Sequence, residues 1–329
     1  VGAMLGGVPV VGWRLCFLLG VPVAVVASIV VQIVLPRATA PAEGRVDYLG
    51  AVLLVIGLTG LLAWISFVGD EMPLLSTASL LWLAASLLVL AVAAWWEWRA
   101  VDAIVPLRAL SGRVPVLAAV ASLCVGVSMF GGTIFVTQYL QLGRGLEALT
   151  AGVLLMPMAV ATFIAALLVG RLSTRSGRIR RYLLVGVALV VLGNGSLILL
   201  TSSTPLWWVV AASSLIGAGL GMTVTNLVLL AQNATRMRDT GAVSGTIIFC
   251  RTLGSTVGLA VFGAIVASFV PAVDEVATSA LGSLYASASS VVFVVATAIS
   301  LIGFVAVMLL PGVTLRSTAD LPDAVAAVA

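Results

Sequence analysis

Nine apolar runs, each about as long as the 20 residues a helix needs to cross a hydrocarbon layer, constrain this chain more than any other feature. They are Leu15–Leu35, Leu49–Val68, Leu74–Trp95, Val116–Leu140, Leu149–Val169, Tyr182–Thr201, Trp207–Leu230, Val243–Phe269 and Ala288–Leu310. Val1–Val10 reads as the tail of another. Over the whole chain 62% of residues are hydrophobic and 9% are charged, where a soluble domain carries about 25% charged residues. A water-soluble fold has no interior large enough for this apolar surface, so lipid is the solvent. Strands of a membrane barrel would be about half as long and would alternate polar with apolar residues; these runs do neither. The expected fold is an all-α polytopic membrane bundle with nine complete spans and a partial one.

The charges set its orientation. The net charge of +4 comes from arginine against the acids, for there is no Lys and no His. With nine alternating spans, 13 arginines fall on one side: 37, 45, 99, 108, 113, 171, 175, 178, 180, 181, 236, 238 and 316. Arg14 and Arg144 fall on the other, and Arg251 lies within a span. Short loops rich in arginine stay on the cytoplasmic face, so this asymmetry reads as topology and not as a nucleic-acid surface. It points to a cytoplasmic C-terminus, and the expected location is multi-pass in a bacterial plasma or inner membrane. The densest cluster is Gly170–Arg181, GRLSTRSGRIRR, with five arginines and two glycines, expected as a tight hydrophilic turn.

Four segments follow. Residues 1–35 hold the end of one helix, a short outside turn and a full span. Residues 36–113 are a two-span hairpin between basic linkers. Residues 114–311 hold six spans, with one longer outside loop at Pro271–Ser287, and residues 312–329 form a cytoplasmic tail. Glycines recur within spans: Gly217, Gly219 and Gly221 together, Gly241 with Gly245, and Gly254 with Gly258. Small residues at such spacing let helix backbones approach closely in lipid. Pro157, between Met156 and Met158, is a helix-disturbing residue of the kind found near transporter binding sites. Trp13, Trp95, Trp96, Trp98, Trp207 and Trp208 sit at span ends, as an aromatic belt does.

Gly170–Arg181 reads G-x-L-S-x-R-x-G-R-x-R-R. This resembles the loop that joins the second and third helices of each six-helix half in the major facilitator superfamily, through Gly170, Leu172, Ser173, Arg175, Gly177 and Arg178, and more loosely Arg180 and Arg181. It departs at Thr174, where the family usually has Asp. Gly2–Gly7 (GAMLGG), then Gly12-Trp13-Arg14-Leu15-Cys16-Phe17 and Val21-Pro22, resembles the antiporter motif of drug-exporting members, with Ala3 where Pro is common. Arg45–Gly50 resembles the entry to the extra central hairpin of fourteen-span members. Tyr139-Leu140-Gln141 with Leu149–Gly152 and Pro157, and Gly241–Gly245 with Arg251–Gly254, resemble parts of their C-terminal half. The resemblance implies a fourteen-span drug:proton antiporter of this superfamily, lacking about its first four helices, with the missing N-terminal helices as its partner. The single copy of the basic loop and the start inside a glycine-rich segment carry the expectation that this polypeptide alone does not transport.

The resemblance assigns a conformational latch to Gly170, Arg171, Arg175, Gly177, Arg178 and Arg181, and the antiporter-motif helix to Gly2, Gly6 and Gly7. In residue terms, Gly170 would allow close packing, Gly177 a tight turn, and the arginines could pair with acids or with the negative ends of neighbouring helices. Charges inside a bilayer are costly and are functional by default; Arg251 is the one well inside a span. Phe130, Gln138, Asn226 and Arg251 are the substrate-lining candidates. Asn194 is expected to make a packing hydrogen bond between helices. No acid lies mid-span, so a proton-coupling group is expected outside this chain, with the proton gradient as energy source and no cofactor. Cys16, Cys124 and Cys250 have no metal or redox spacing, and no cluster of catalytic groups supports an enzyme. The expected activity is export of drugs or amphipathic metabolites. A metabolite exporter for a siderophore, amino acid or lipid precursor, and a non-transporting scaffold, are the alternatives.

Overall fold

A computed structural model of the chain describes residues 14–34, 47–67, 76–100, 112–235, 240–269 and 278–311. Its described residues form helices α1 Arg14–Val34, α2 Tyr48–Phe67, α3 Thr77–Arg99, α4 Arg113–Gly143, α5 Ala148–Ser176, α6 Ile179–Leu197, α7 Leu206–Asn233, α8 Thr240–Phe269 and α9 Thr278–Met308. Eight of them, α2 to α9, are long and apolar enough to cross a membrane, and α1 adds a shorter apolar stretch over Gly20–Val34. No strand occurs among the described residues. The all-helical membrane bundle expected from the apolar runs is what forms.

Two boundaries differ from the sequence reading, and both for the same reason. The arginine cluster is almost wholly helical: α5 runs on through Arg171 and Arg175 to Ser176, and α6 begins at Ile179. The turn is reduced to Gly177-Arg178. Likewise α9 begins at Thr278, so much of the expected outside loop Pro271–Ser287 is helix. Hydropathy marks where a helix enters lipid, while backbone hydrogen bonding continues for turns beyond it.

Helices α4 to α9 pack on one another. The most extensive pairings are α5 with α7, α6 with α7, α4 with α8, and α9 with α4 and α6. The α2–α3 hairpin touches α8 and is held by its own polar bonds. The Trp64 indole donates to Ser79 Oγ at 2.9 Å and that of Trp82 to Gly60 O at 3.0 Å. At the far end, the Trp96 indole reaches both Asp47 carboxylate oxygens at 3.1 and 3.0 Å, while Asp47 Oδ1 accepts the Gly50 N–H at 2.9 Å and so caps α2. Every residue of α1 from Gly20 to Val34 is exposed.

The glycine trio on α7 divides between two neighbours. A Cβ on Gly217 or Gly221 would collide with the main-chain carbonyls of Met158 or Thr162 on α5, and one on Gly219 with the carbonyl of Gly186 on α6. Alternate glycines thus face opposite partners, and α7 sits between two close helix crossings. Gly254 meets the carbonyl of Leu123 of α4 in the same way and Gly258 lies against the Cα and side chain of Val127, but Gly241 and Gly245 have nothing described within 4 Å, so that pair makes no seam among the described residues. Polar bonds reinforce the crossings. Ser122 Oγ donates to Ile247 O at 2.8 Å and Ser255 Oγ to Gly126 O at 3.1 Å. In the buried centre, Asn194 Nδ2 of α6 donates to Ser300 Oγ of α9 at 3.1 Å, and Ser300 Oγ lies 2.7 Å from Ser128 Oγ of α4. Asn194 makes the interhelical bond expected of it.

Candidate substrate cavity and arginine turn

A cavity of about 750 Å³ opens where α4, α5 and α7 meet. The α4 wall carries Met129 and Thr133, the α5 wall Met156, Met158, Thr162 and Phe163, and the α7 wall Leu220 and Thr225. Local structure explains why these residues share the space. Residues four apart on a helix lie on one face, which aligns Met129 with Thr133 and Met158 with Thr162. Between Gly131 and Phe135 the α4 backbone widens to π-helical pitch, a feature that recurs at functional sites. There Gly131 accommodates the edge of Phe262, and Gly132 lies against Ile216. On the opposite wall Pro157 is carried within α5 without ending it, flanked by the two lining methionines. Met156 and Phe163 are 56% and 70% exposed, so the cavity is a trough with an open side.

Its polar equipment is sparse. Thr133 Oγ1 donates to Met129 O and Thr162 Oγ1 to Met158 O, each at 2.9 Å. Both hydroxyls are thus bonded to main-chain carbonyls of their own helices. Thr225 adds a third hydroxyl. None of the described residues lining the cavity carries a formal charge.

The four lining candidates lie elsewhere. Phe130, 38% exposed, follows Met129 directly and so points about 100° around α4 from it. Gln138 is half-buried two turns further on, beyond the cavity. Asn226 is 2% exposed, and its side-chain amide donates to Met222 O of its own helix at 2.7 Å, while its neighbour Thr225 takes the cavity face. Arg251 is half-buried on α8, a helix with no part in the cavity wall. The residues found instead carried one readable signal, the Met-x-x-x-Thr spacing on α4 and α5 beside Pro157.

The arginine turn is built differently from its sequence reading. Gly177 has φ +65°, the left-handed conformation that favours glycine, and its N–H closes α5 on Ser173 O at 3.0 Å. At Gly170 nothing described approaches within 4 Å of a Cβ position, so the close packing expected there is not made by the described residues. Arg171, Arg175, Arg178 and Arg181 are exposed. Arg180 binds across to the last helix: its guanidinium donates to Met308 O, at the C-terminus of α9, at 2.6 Å. This is the cation-to-helix-end pairing anticipated for the cluster. At the opposite end of the bundle, Tyr139 donates its hydroxyl to Thr201 O at 2.6 Å, and Arg144 donates to Ser202 O and to Thr204 O. Gly2, Gly6 and Gly7 lie outside the described residues. No group of His, Cys, Asp and Glu suited to a metal occurs among the described residues.

The described residues form a polytopic helical bundle with an apolar cavity between spans. The comparison with known proteins agrees: the family profile of the Major Facilitator Superfamily matches residues 1–259. The chain belongs to that superfamily, a family of transporters and not of enzymes. It is similar to an uncharacterised MFS-type transporter of Mycobacterium tuberculosis, 29% identical over 352 aligned residues that cover 98% of this chain and 51% of the relative. It is 27% identical to the multidrug resistance protein Stp of the same species, over 83% of this chain and 51% of the relative. It is 26% identical to the multidrug transporter protein MdtP of Bacillus subtilis, over 80% of this chain and 49% of the relative. The chain thus spans about half the length of the curated relatives it matches.

Proposed function

We propose that this chain supplies one cavity-bearing half of a secondary exporter of drugs or amphipathic metabolites, driven by inward proton flow and working by alternating access. The observation that carries this reading is the trough between α4, α5 and α7, with its methionines, Phe163 and three threonines. Unbranched, polarisable methionines repack around ligands of different shape, which suits an exporter of several compounds. Two of the relatives are named for multidrug resistance or multidrug transport, which favours the same cargo class. The open side of the trough is where a complementary helical half would close it, as two halves do around a midplane site.

In this reading Gly170–Arg181 is the conformational latch on the cytoplasmic side, with the C-terminus also cytoplasmic. The Arg180 bond to the end of α9 supports a latch that ties the α5–α6 turn to the last helix. Arg251, about 16 Å along α8 from Thr240 at roughly 1.5 Å per residue, serves as the partner of an acidic group in the complementary half. Proton coupling resides in that half.

The test is dye uptake into inverted vesicles from an efflux-deficient bacterium, with the chain produced alone and fused behind the first half of a full-length relative. The fused form is expected to take up dye only while a proton gradient is imposed, and Ala159→Trp, which fills the trough, is expected to abolish uptake. The chain alone is expected to be inactive. Uptake that ignores both the gradient and the Ala159→Trp substitution would overturn the proposal.

A further inference from the structure

We infer that Arg178 and Arg181, at the Gly177 turn, hold the headgroup of an anionic phospholipid, with its acyl chains along the outer face of α6. The exposure pattern of α6 is the first argument. Arg181, Val185 and Leu192 are exposed, and spacings of four and seven residues put them on one face of the helix. That face is turned from the neighbouring helices. α6 meets α7 through Gly186, Val190 and Gly193, and α9 through Asn194. It is also turned from the trough. On α7, Gly219 stands against α6, while Gly217 and Gly221 stand against α5. α5 walls the trough, so α6 lies on the opposite flank of α7, away from the side where a complementary half would close the cavity. An aliphatic face in that position meets lipid.

Depth and charge are the second argument. α6 has 19 residues, a length of about 28 Å at about 1.5 Å per residue, against a hydrocarbon layer of about 30 Å. Near one end the Trp208 indole donates to Ser196 O at 3.0 Å, the place of a tryptophan at the membrane interface. The other end, with Arg178 and Arg181, therefore lies among the headgroups of the opposite leaflet. There Ser176 Oγ donates to the Tyr182 hydroxyl at 3.3 Å and holds a second interfacial aromatic beside the turn. Arg180 is turned inward and bonded to Met308 O, whereas Arg178 and Arg181 are exposed. A guanidinium fork matches phosphate oxygens in pairs. Two such groups on one turn favour a headgroup of net negative charge, because a zwitterionic one brings its own cation next to the arginines.

The test is native mass spectrometry of the purified full chain, released from detergent micelles after mixing with equal amounts of phosphatidylglycerol and phosphatidylcholine of the same acyl chains. The wild type is expected to retain phosphatidylglycerol in preference. Arg178→Gln and Arg181→Gln are each expected to lower that preference about fivefold, the worth of one basic residue beside an anionic lipid surface. Arg113→Gln removes the same charge from an exposed arginine at the start of α4 and is expected to leave the preference unchanged. Circular dichroism is expected to show every variant as helical as the wild type, since all three side chains are exposed. Equal retention of the two lipids by the wild type overturns the inference. A preference that survives Arg178→Gln combined with Arg181→Gln also overturns it, by placing the lipid elsewhere. So does a preference that falls as far in Arg113→Gln, which would make it an effect of net charge. A dimer in the wild-type spectra that the combined variant abolishes would assign this face to a second copy of the chain, and overturns it too.

Discussion

Gly193 of α6 offers a direct test of how closely these helices depend on glycine. A Cβ added there would stand 2.6 Å from Ile216 Cγ1, 2.8 Å from Ala212 O and 3.0 Å from Ile216 N, all on α7. Ordinary carbon–oxygen approach is about 3.3 Å and carbon–carbon about 3.5–4.0 Å, so α6 must retreat by roughly 0.5–1 Å. Ile216 cannot give way instead. It is fully buried, and its far side lies against Gly132 in the widened segment of α4. Overpacking of this kind costs about 1–3 kcal/mol, offset by up to about 1 kcal/mol of helix propensity when Ala replaces Gly. Gly193→Ala is therefore expected to destabilise the bundle by about 1–2 kcal/mol. Gly263→Ala on α8, where no described residue lies within 4 Å, is expected to be neutral or mildly stabilising. The assay is reversible SDS unfolding of the purified chain in mixed micelles, followed by tryptophan fluorescence and circular dichroism. In the Gly193→Ala background, Ile216→Ala should cost at least about 1 kcal/mol less than in the wild type, because the two sites share one contact. If Gly193→Ala unfolds no more readily than Gly263→Ala, the close-crossing argument is wrong for this protein.

Asn194→Ala should lower stability by about 0.6–1.7 kcal/mol, the range of interhelical hydrogen bonds in membranes, and a double-mutant cycle with Ser300→Ala should recover most of it as coupling. Arg180→Gln should release the end of α9, seen as faster amide exchange around Met308 and a loss of about 0.3–1 kcal/mol; Arg178→Gln, whose side chain is exposed, should leave that exchange unchanged. Gly177→Ala forces a left-handed alanine and should cost about 1–2 kcal/mol, read by the same unfolding assay. Cys124, at 4% exposure, should resist a membrane-permeant maleimide until the bundle is unfolded by SDS, and alkylation at the native rate of an exposed thiol would contradict its place in the core.

The spans were legible because each is apolar over the thickness of a bilayer, and that property alone forces helix in lipid. The asymmetry of the arginines was legible for a similar reason: it is a count along the chain. The lining of the trough was not. Phe130, Gln138 and Asn226 stand out in the sequence as polar or aromatic residues within spans, while Met129, Thr133 and Thr225, each within a few positions of one of them, line the trough. In a soluble helix the apolar stripe tells which side faces inward. Here both the lipid side and the packed side are apolar, so periodicity says little about rotation around the axis. The same holds for the arginines. Composition singled out the cluster, but only the position of α9 shows that Arg180, and not Arg181, reaches a carbonyl.

By itself the sequence determines that this is a multi-span helical membrane protein, where its apolar spans lie, and that Gly177 favours a tight turn. Those properties follow from local hydropathy and local backbone freedom, which need no knowledge of neighbours. Tertiary structure decides the rest. It sets which glycines of the α7 trio meet α5 and which meet α6, that Asn194 bonds to Ser300, and that Thr133 and Thr162 line a common trough. Each of these depends on helix rotation and pairing, and in a chain apolar on every face only the fit of one helix against the next can set them.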